Sequence, residues 1–150
     1  MLHAVGLFCE DIREEKSGEL TLVGLLPDNI NVPPPPAELA DKTIAAFMPK
    51  LGLYLRINLD VAHDRSPMTL KLVFHDGTEQ PIGEVPTEII EQSQREAIAK
   101  NLPIAGIVSR IVMMPFRVHS GGIMQAVLGT KDGDHTCAVL NLLVPETKPG

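Results

Sequence analysis

The segment Leu51–Asp60, LGLYLRINLD, constrains the fold more than any other stretch of this chain. Leu51, Leu53, Leu55, Ile57 and Leu59 recur at every second residue, and Gly52, Tyr54, Arg56, Asn58 and Asp60 fall between them. Side chains of an extended backbone alternate between two faces, so this pattern predicts a strand with one face in a core and the other toward solvent. Met68–Phe74 repeats it, with Met68, Leu70, Leu72 and Phe74 inward and Thr69 and Lys71 outward. Two earlier segments, LHAVGLFC from Leu2 and ELTLVGLL from Glu19, are apolar on both faces. Such strands belong in the middle of a sheet or under cover on both sides.

The second half opens differently. PTEIIEQSQREAIAKN predicts a helix near 87–101, with Thr87 as N-cap and Pro103 beyond its end. Glu91–Arg95 and Glu96–Lys100 are spaced as i,i+4 ion pairs, with acid early and Lys100 late, as the helix dipole prefers. Three more strands are expected at Ile104–Val118, Gly122–Thr130 and His135–Val144. Turns fall at HSGG (119–122), KDGD (131–134) and HDGT (75–78), and Pro115 marks a bulge or a strand edge. The one break in composition is VPPPPAELADK, where Pro33 to Pro36 form a polyproline II stretch that a short helix at 37–41 follows. Lying between strands, this tract reads as a stiff crossover rather than as a ligand for an SH3-type domain.

Together these elements predict a mainly β protein: an antiparallel β-sandwich, immunoglobulin-like or related, of about seven or eight strands with one inserted α-helix near 87–101. A barrel is the alternative. At 150 residues the expectation is a single domain over 1–145, followed by a frayed tail at 146–150.

Charge and composition narrow the function. The net charge is −6 and the sequence holds no Trp and one Tyr. It lacks the clustered cations that a phosphate backbone requires and the rings on which single-stranded bases or sugars stack, so no nucleic-acid partner is expected. The apolar start, Met1 to Phe8, has no basic flank and is short for a signal peptide or a membrane span. With only two cysteines, Cys9 and Cys137, and no N-x-S/T sequon, the expected location is cytoplasmic, with free thiols and no membrane partner.

Candidate chemistry is sparse. The five histidines form no compact ligand motif; His135 and Cys137 share a strand face but supply only two ligands. Asp60, Asp64, Asp76, Asp132 and Asp134 recur in turns, as calcium-binding loops would have them and as hairpin turns also use them. Asp76, Asp132 and Asp134 are the weak metal candidates, and no metal or other cofactor is expected. No G-x-S-x-G occurs, His119–Ser120 are only chain neighbours, and no catalytic constellation is visible, so the chain is not expected to be an enzyme. Arg110 and Arg117, one on each face of the expected 104–118 strand, read as protection of a sheet edge. The candidate binding residues are Glu10, Asp11, Arg13 and Glu15, an acidic patch around one arginine that reads chiefly as charge balance on a hairpin rim. Apolar surface beyond the needs of two sheets predicts a homo-oligomer, with an unidentified protein partner as a further expectation. The leading function is a non-enzymatic protein-interaction or self-assembly module; the alternative is a β-sandwich that binds a small ligand or a calcium-like metal.

Gly18-Glu19-Leu20-Thr21-Leu22-Val23-Gly24-Leu25 matches the strand pattern G-[KE]-L-x-[IVL]-[IV]-G-[ILV]. Ile30, the proline-containing Val32 to Pro36 and the segment Pro49 to Arg56 follow it in order. Over roughly Leu2 to Asp60 the chain thus resembles an uncharacterised family of small bacterial proteins, a domain of unknown function. It differs from the pattern in its four-proline run and its EEKSG turn. The resemblance implies a β-sandwich-like fold and no assigned activity.

Overall fold

The computed structural model describes residues 2–37 and 44–145. Among these, the chain runs β1 (Leu2–Glu14), β2 (Leu20–Leu25), β3 (Asn29–Asn31), β4 (Ala46–Met48), β5 (Leu51–Asp60), β6 (Met68–Val73), β7 (Glu79–Val85), α1 (Thr87–Ala99), β8 (Ile104–Met113), β9 (Phe116–Val118), β10 (Gly122–Thr130) and β11 (Gly133–Leu143). The protein is therefore mainly β, with one α-helix among the described residues. A four-stranded sheet has the order β2-β1-β5-β8, a five-stranded sheet the order β3-β11-β10-β6-β7, and β4 pairs with β9 in a small third sheet. The short helix expected at 37–41 and the frayed tail at 146–150 lie outside the described residues, apart from Ala37.

The alternating segments sit as their pattern requires. Leu51, Leu53, Leu55, Ile57 and Leu59 of β5 are buried, as are Met68, Leu70, Leu72 and Phe74 in and after β6. They join two apolar clusters. One holds Phe8, Leu53, Leu72, Met124 and Leu140; the other holds Leu55, Ile57, Leu70, Ile90 and Leu128. Each cluster takes residues from both large sheets, so the sheets pack face to face. Each fully buried side chain of this size contributes on the order of 1.5–3 kcal/mol.

Helix α1 buries Ile90, Gln94 and Ala97, spaced four and three residues apart on one stripe, and packs along β8. Its end is a Schellman arrangement. Asn101 has a φ of 55°, the Leu102 N–H donates to the Ala97 carbonyl, and the Asn101 N–H donates to that of Ile98. The other end departs from expectation. Pro86, not Thr87, is the N-cap, and the Thr87 hydroxyl donates instead to the Arg65 carbonyl at 2.7 Å. Proline at this position makes no side-chain cap, so the hydroxyl is used to fasten the β5–β6 connection. Glu91 likewise engages Arg65, at 3.7 Å, instead of the expected Arg95, and Glu96 accepts from Gln92 Nε2 instead of pairing with Lys100.

Four further expectations are corrected. The described strands number eleven, not seven or eight, because β3, β4 and β9 are three-residue strands too short to show a period. The sheets are not wholly antiparallel, since β3 runs parallel to β11. The 104–118 segment is not one strand: β8 ends at Met113, the Met114–Pro115 bond is cis, and β9 turns away to pair with β4. Proline has no N–H for the ladder, so the chain leaves the sheet there. Arg110 and Arg117 consequently belong to different sheets. Finally, β2 is neither central nor doubly covered. It is an edge strand, and Leu25 at its end is exposed. The proline tract does lie where a crossover should, between β3 and β4, with the Val32 N–H donating to the Leu143 carbonyl and the Phe47 N–H to that of Pro33.

Candidate functional site

The β1–β2 hairpin turns at Glu15–Glu19, where the Glu15 N–H donates to the Glu19 carbonyl and Gly18 takes a φ of 87°. Strand β1 serves two partners in succession. It pairs with β5 from Leu2↔Leu59 to Cys9↔Gly52, and with β2 from Cys9↔Leu25 to Glu14↔Leu20. The change of partner coincides with a bend. Gly24, which stands across from Glu10, has a φ of 64°, a conformation open to glycine, and a Cβ there would lie 2.7 Å from the Glu10 carboxyl.

Past the bend, simple alternation fails. A Cβ on Gly52 would meet both Cys9 Sγ, at 2.9 Å, and Ile12 Cγ1, at 3.3 Å. Residues three apart on a straight strand cannot cover one spot. The hairpin therefore leans over the outer face of its own sheet. Glu14 reaches Arg110 of β8 at 2.6 Å, although β5 lies between β1 and β8 in the sheet. Beneath the lean runs a groove of about 650 Å³ lined by Gly18, Glu19, Leu20, Leu22, Tyr54 and Val108.

The acidic patch read from the sequence does not converge. Asp11 pairs with Lys50 at 2.9 Å and, more loosely, with Arg13 at 3.9 Å. Lys50 holds the Asp11 carboxyl below its ordinary range, aided by the Ile12 N–H and by Arg13. Glu15 accepts from the Thr21 hydroxyl at 2.8 Å. Glu10 packs at the bend beside Gly24. These are separate rim contacts, not one ligand set. The consequential pair is Glu14–Arg110, whose members are 96 residues apart and belong to no local motif.

The candidate metal residues are also dispersed. Asp76 closes its own turn, accepting from the Thr78 N–H at 2.9 Å, and Thr78 foremost depresses its carboxyl pKa. Asp134 pairs with Lys71 at 3.4 Å, and the Asp132 N–H donates to Thr130. In the β6–β10 register, Val73 opposes Gln125 and Thr69 opposes Gly129. The Asp76 turn therefore lies at one end of the sheet and the Asp132–Asp134 turn at the other. Among the described residues no group of three or more His, Cys, Asp or Glu side chains could hold a metal ion. Cys137 is the extra residue of a bulge in β11, and its thiol donates to the His135 carbonyl at 3.4 Å. Both thiols are free, and burial pushes both up in pKa; at Cys9 the charge of Asp11 adds to the effect.

The outer face of the four-stranded sheet is the feature least explained by the monomer. Ladder rows set Val5–Arg56–Val108 and Leu7–Tyr54–Arg110 side by side across β1, β5 and β8. Val5, Leu7, Val108 and Val112 are 49%, 44%, 51% and 40% exposed. Strand β8 is also an edge, with β5 as its only strand neighbour among the described residues. On its inward side Ala105 and Ile107 are buried, but Ser109, Ile111 and Met113 are only half-buried, so the edge opens toward its C-terminal half.

Among the described residues no helix is long and apolar enough to cross a membrane. No protein-family model matches the chain, and neither a curated protein nor a solved structure does.

Proposed function

We propose that this protein is a non-enzymatic interaction module, built as a β-sandwich of the immunoglobulin-like or a related class, that associates with copies of itself through the four-stranded sheet. One observation carries the reading. Val5, Leu7, Val108 and Val112 stand exposed on the outer face of that sheet, around Arg56 and Tyr54 of β5, beside the β8 edge that no strand among the described residues pairs. Exposed apolar side chains set among polar ones in this way characterise association sites in soluble proteins. The Glu14–Arg110 pair supports it further, because it neutralises the one cation in the middle of β8 and so removes a charge that would otherwise guard the edge.

Sedimentation velocity tests the proposal. The wild-type chain sediments above its 16.3 kDa monomer mass, and Val108→Glu returns it to that mass while preserving the β-rich circular dichroism spectrum. A wild-type chain that stays at monomer mass at every concentration refutes self-association. A second reading, binding of a small apolar ligand, draws its support from the groove beneath the hairpin. A melting screen tests it, because a ligand of the native state raises the midpoint.

A further inference from the structure

Strand β8 has a strand neighbour on one side only, and its register fixes which groups face the other. The Val61 N–H donates to the Pro103 carbonyl at 3.2 Å, one step before the ladder that sets Asp60 against Ile104. Bonded and non-bonded pairs alternate along an antiparallel ladder. The odd-numbered residues of β8, Ala105 to Met113, therefore direct their N–H and C=O groups to β5. Those of Ile104, Gly106, Val108, Arg110 and Val112 point away from β5, where no strand among the described residues meets them. The same five residues are exposed. Helix α1 packs along β8 on the side of the buried Ala105 and Ile107, and the outward row stays open.

A bare row of backbone donors and acceptors is a template for another strand, and the sequence of this one matches itself. Turned antiparallel about Val108, the strand brings all five outward residues into register with a second copy: Ile104 against Val112, Gly106 against Arg110, and Val108 against Val108. Moving the axis one residue toward either end leaves outward groups there without a partner. Moving it to Arg110 also sets two like charges face to face. About Val108, each Arg110 instead lies across from a glycine, whose missing side chain leaves room for the guanidinium that Glu14 already neutralises. Leu102 and Met114, both exposed, flank the strand and bring further apolar surface to its two ends.

We infer that β8 pairs antiparallel with β8 of a second copy about a two-fold axis at Val108, joining two four-stranded sheets into one continuous sheet. This rests on the self-association proposed above and specifies it: the copies meet edge to edge through main-chain hydrogen bonds, not by stacking sheet faces. The contact is isologous, so the pairing of Gly106 with Arg110 occurs twice.

Amide hydrogen exchange followed by nuclear magnetic resonance, beside sedimentation at the same concentrations, tests this. On association the Gly106, Val108 and Arg110 amides slow at least about tenfold, because each then exchanges only when the strand pair opens. Those of Ala105, Ile107 and Ser109, bonded to β5, are protected at every concentration. Gly106→Pro removes one outward donor and no bond to β5, and a Cβ at that position meets nothing nearer than Asn58 Oδ1 at 3.6 Å. It weakens association at least about tenfold while preserving the β-rich circular dichroism spectrum. For the axis, Val108→Cys cross-links to its own copy on mild oxidation, with Cα atoms about 5.5 Å apart. Ile104→Cys and Val112→Cys cross-link only when the two are mixed. A chain that associates while the Gly106, Val108 and Arg110 amides exchange as in the dilute chain overturns edge pairing and leaves self-association standing. Monomer mass at every concentration overturns both. Folded Gly106→Pro that associates like the wild type overturns the main-chain contact, and self-linking of Ile104→Cys as fast as Val108→Cys overturns the axis. The exchange measurement needs no variant, so it decides the matter even where a variant fails to fold.

Discussion

Gln94 is the only polar residue among the fully buried side chains of the described chain, and replacing it gives a stringent test of how the helix is attached. Its Nε2 donates to the Asp60 carbonyl at 3.3 Å and to the His63 carbonyl at 3.0 Å, while its Oε1 accepts from Arg65 Nε at 2.9 Å. One amide thus ties three points of the β5–β6 connection to α1, beside the Thr87 and Glu91 contacts to Arg65. Gln94→Met keeps the volume and the helix propensity but removes all three hydrogen bonds. Each is worth about 1 kcal/mol net, and more where Arg65 is charged or a carbonyl is left buried without a donor, so the loss comes to roughly 2–4 kcal/mol. For a chain of this length, with an unfolding entropy near 2.1 cal/mol/K per residue, about 3 kcal/mol lowers the melting midpoint by about 10 °C. Urea denaturation followed by circular dichroism gives the free energy directly, with m unchanged if only the native contacts are affected. Gln94→Glu separates hydrogen bonding from packing. It can still accept from Arg65 but cannot donate to either carbonyl, so it is at least as destabilising at neutral pH. If Gln94→Met lies within about 0.5 kcal/mol of the wild type, the amide is not the pin described here.

Two further outcomes follow from the bend and from the rim. Gly24→Ala places a side chain at a φ of 64° and against Glu10, at a cost of about 1–2 kcal/mol in backbone strain. It also lifts the hairpin, so Cys9, covered by Ile12 in the wild type, reacts faster with a thiol reagent; unchanged labelling contradicts the lean. Asp11, Asp64 and Asp76 all have folded pKa values below the ordinary 3.8. The unfolded chain therefore binds more protons near and below that value. The stability these groups contribute is complete above it and is lost as pH falls through their depressed folded values. Replacing all three with Asn flattens the acid limb of a stability–pH curve, and an unaltered limb rejects the assignment.

The parts of this fold legible in the sequence are those where burial is one-sided. In β5 and β6 a strict alternation needs no partner to be read, and the helix announces itself through its own spacing and the Pro103 stop. The β1–β2 hairpin was legible as a hairpin, yet its lean was not. Gly24 looks like any strand glycine until its φ is known, and Glu14 meets Arg110 only through a contact between distant parts of the chain. The same holds for Gln94, a polar residue on a helix whose burial depends on a loop 31 residues earlier. Arg13 drew attention because its charge stood among acids, but local charge contrast marks a rim, whereas Leu20, Leu22, Tyr54 and Val108 meet only after folding. Pro115 carried a readable signal for interruption. What it could not convey was that the chain beyond it changes sheets.

The lean of the hairpin also bears on how far any association can grow. A sheet with two open edges can add copies without end, each new edge offering a template for the next. Here the margin beside β2 is turned up across its own sheet past Gly24, which leaves β8 as the straight margin of that sheet. On the other sheet, β7 carries Pro81 and a register slip opposite Leu70 and Lys71, and β3 is three residues long. If copies associate through that margin as proposed, like would meet like across a two-fold axis, and no other margin among the described residues would remain to continue. A single glycine in the left-handed region would thereby set a stoichiometry, limiting to a closed pair what a flat hairpin would allow to become a fibre.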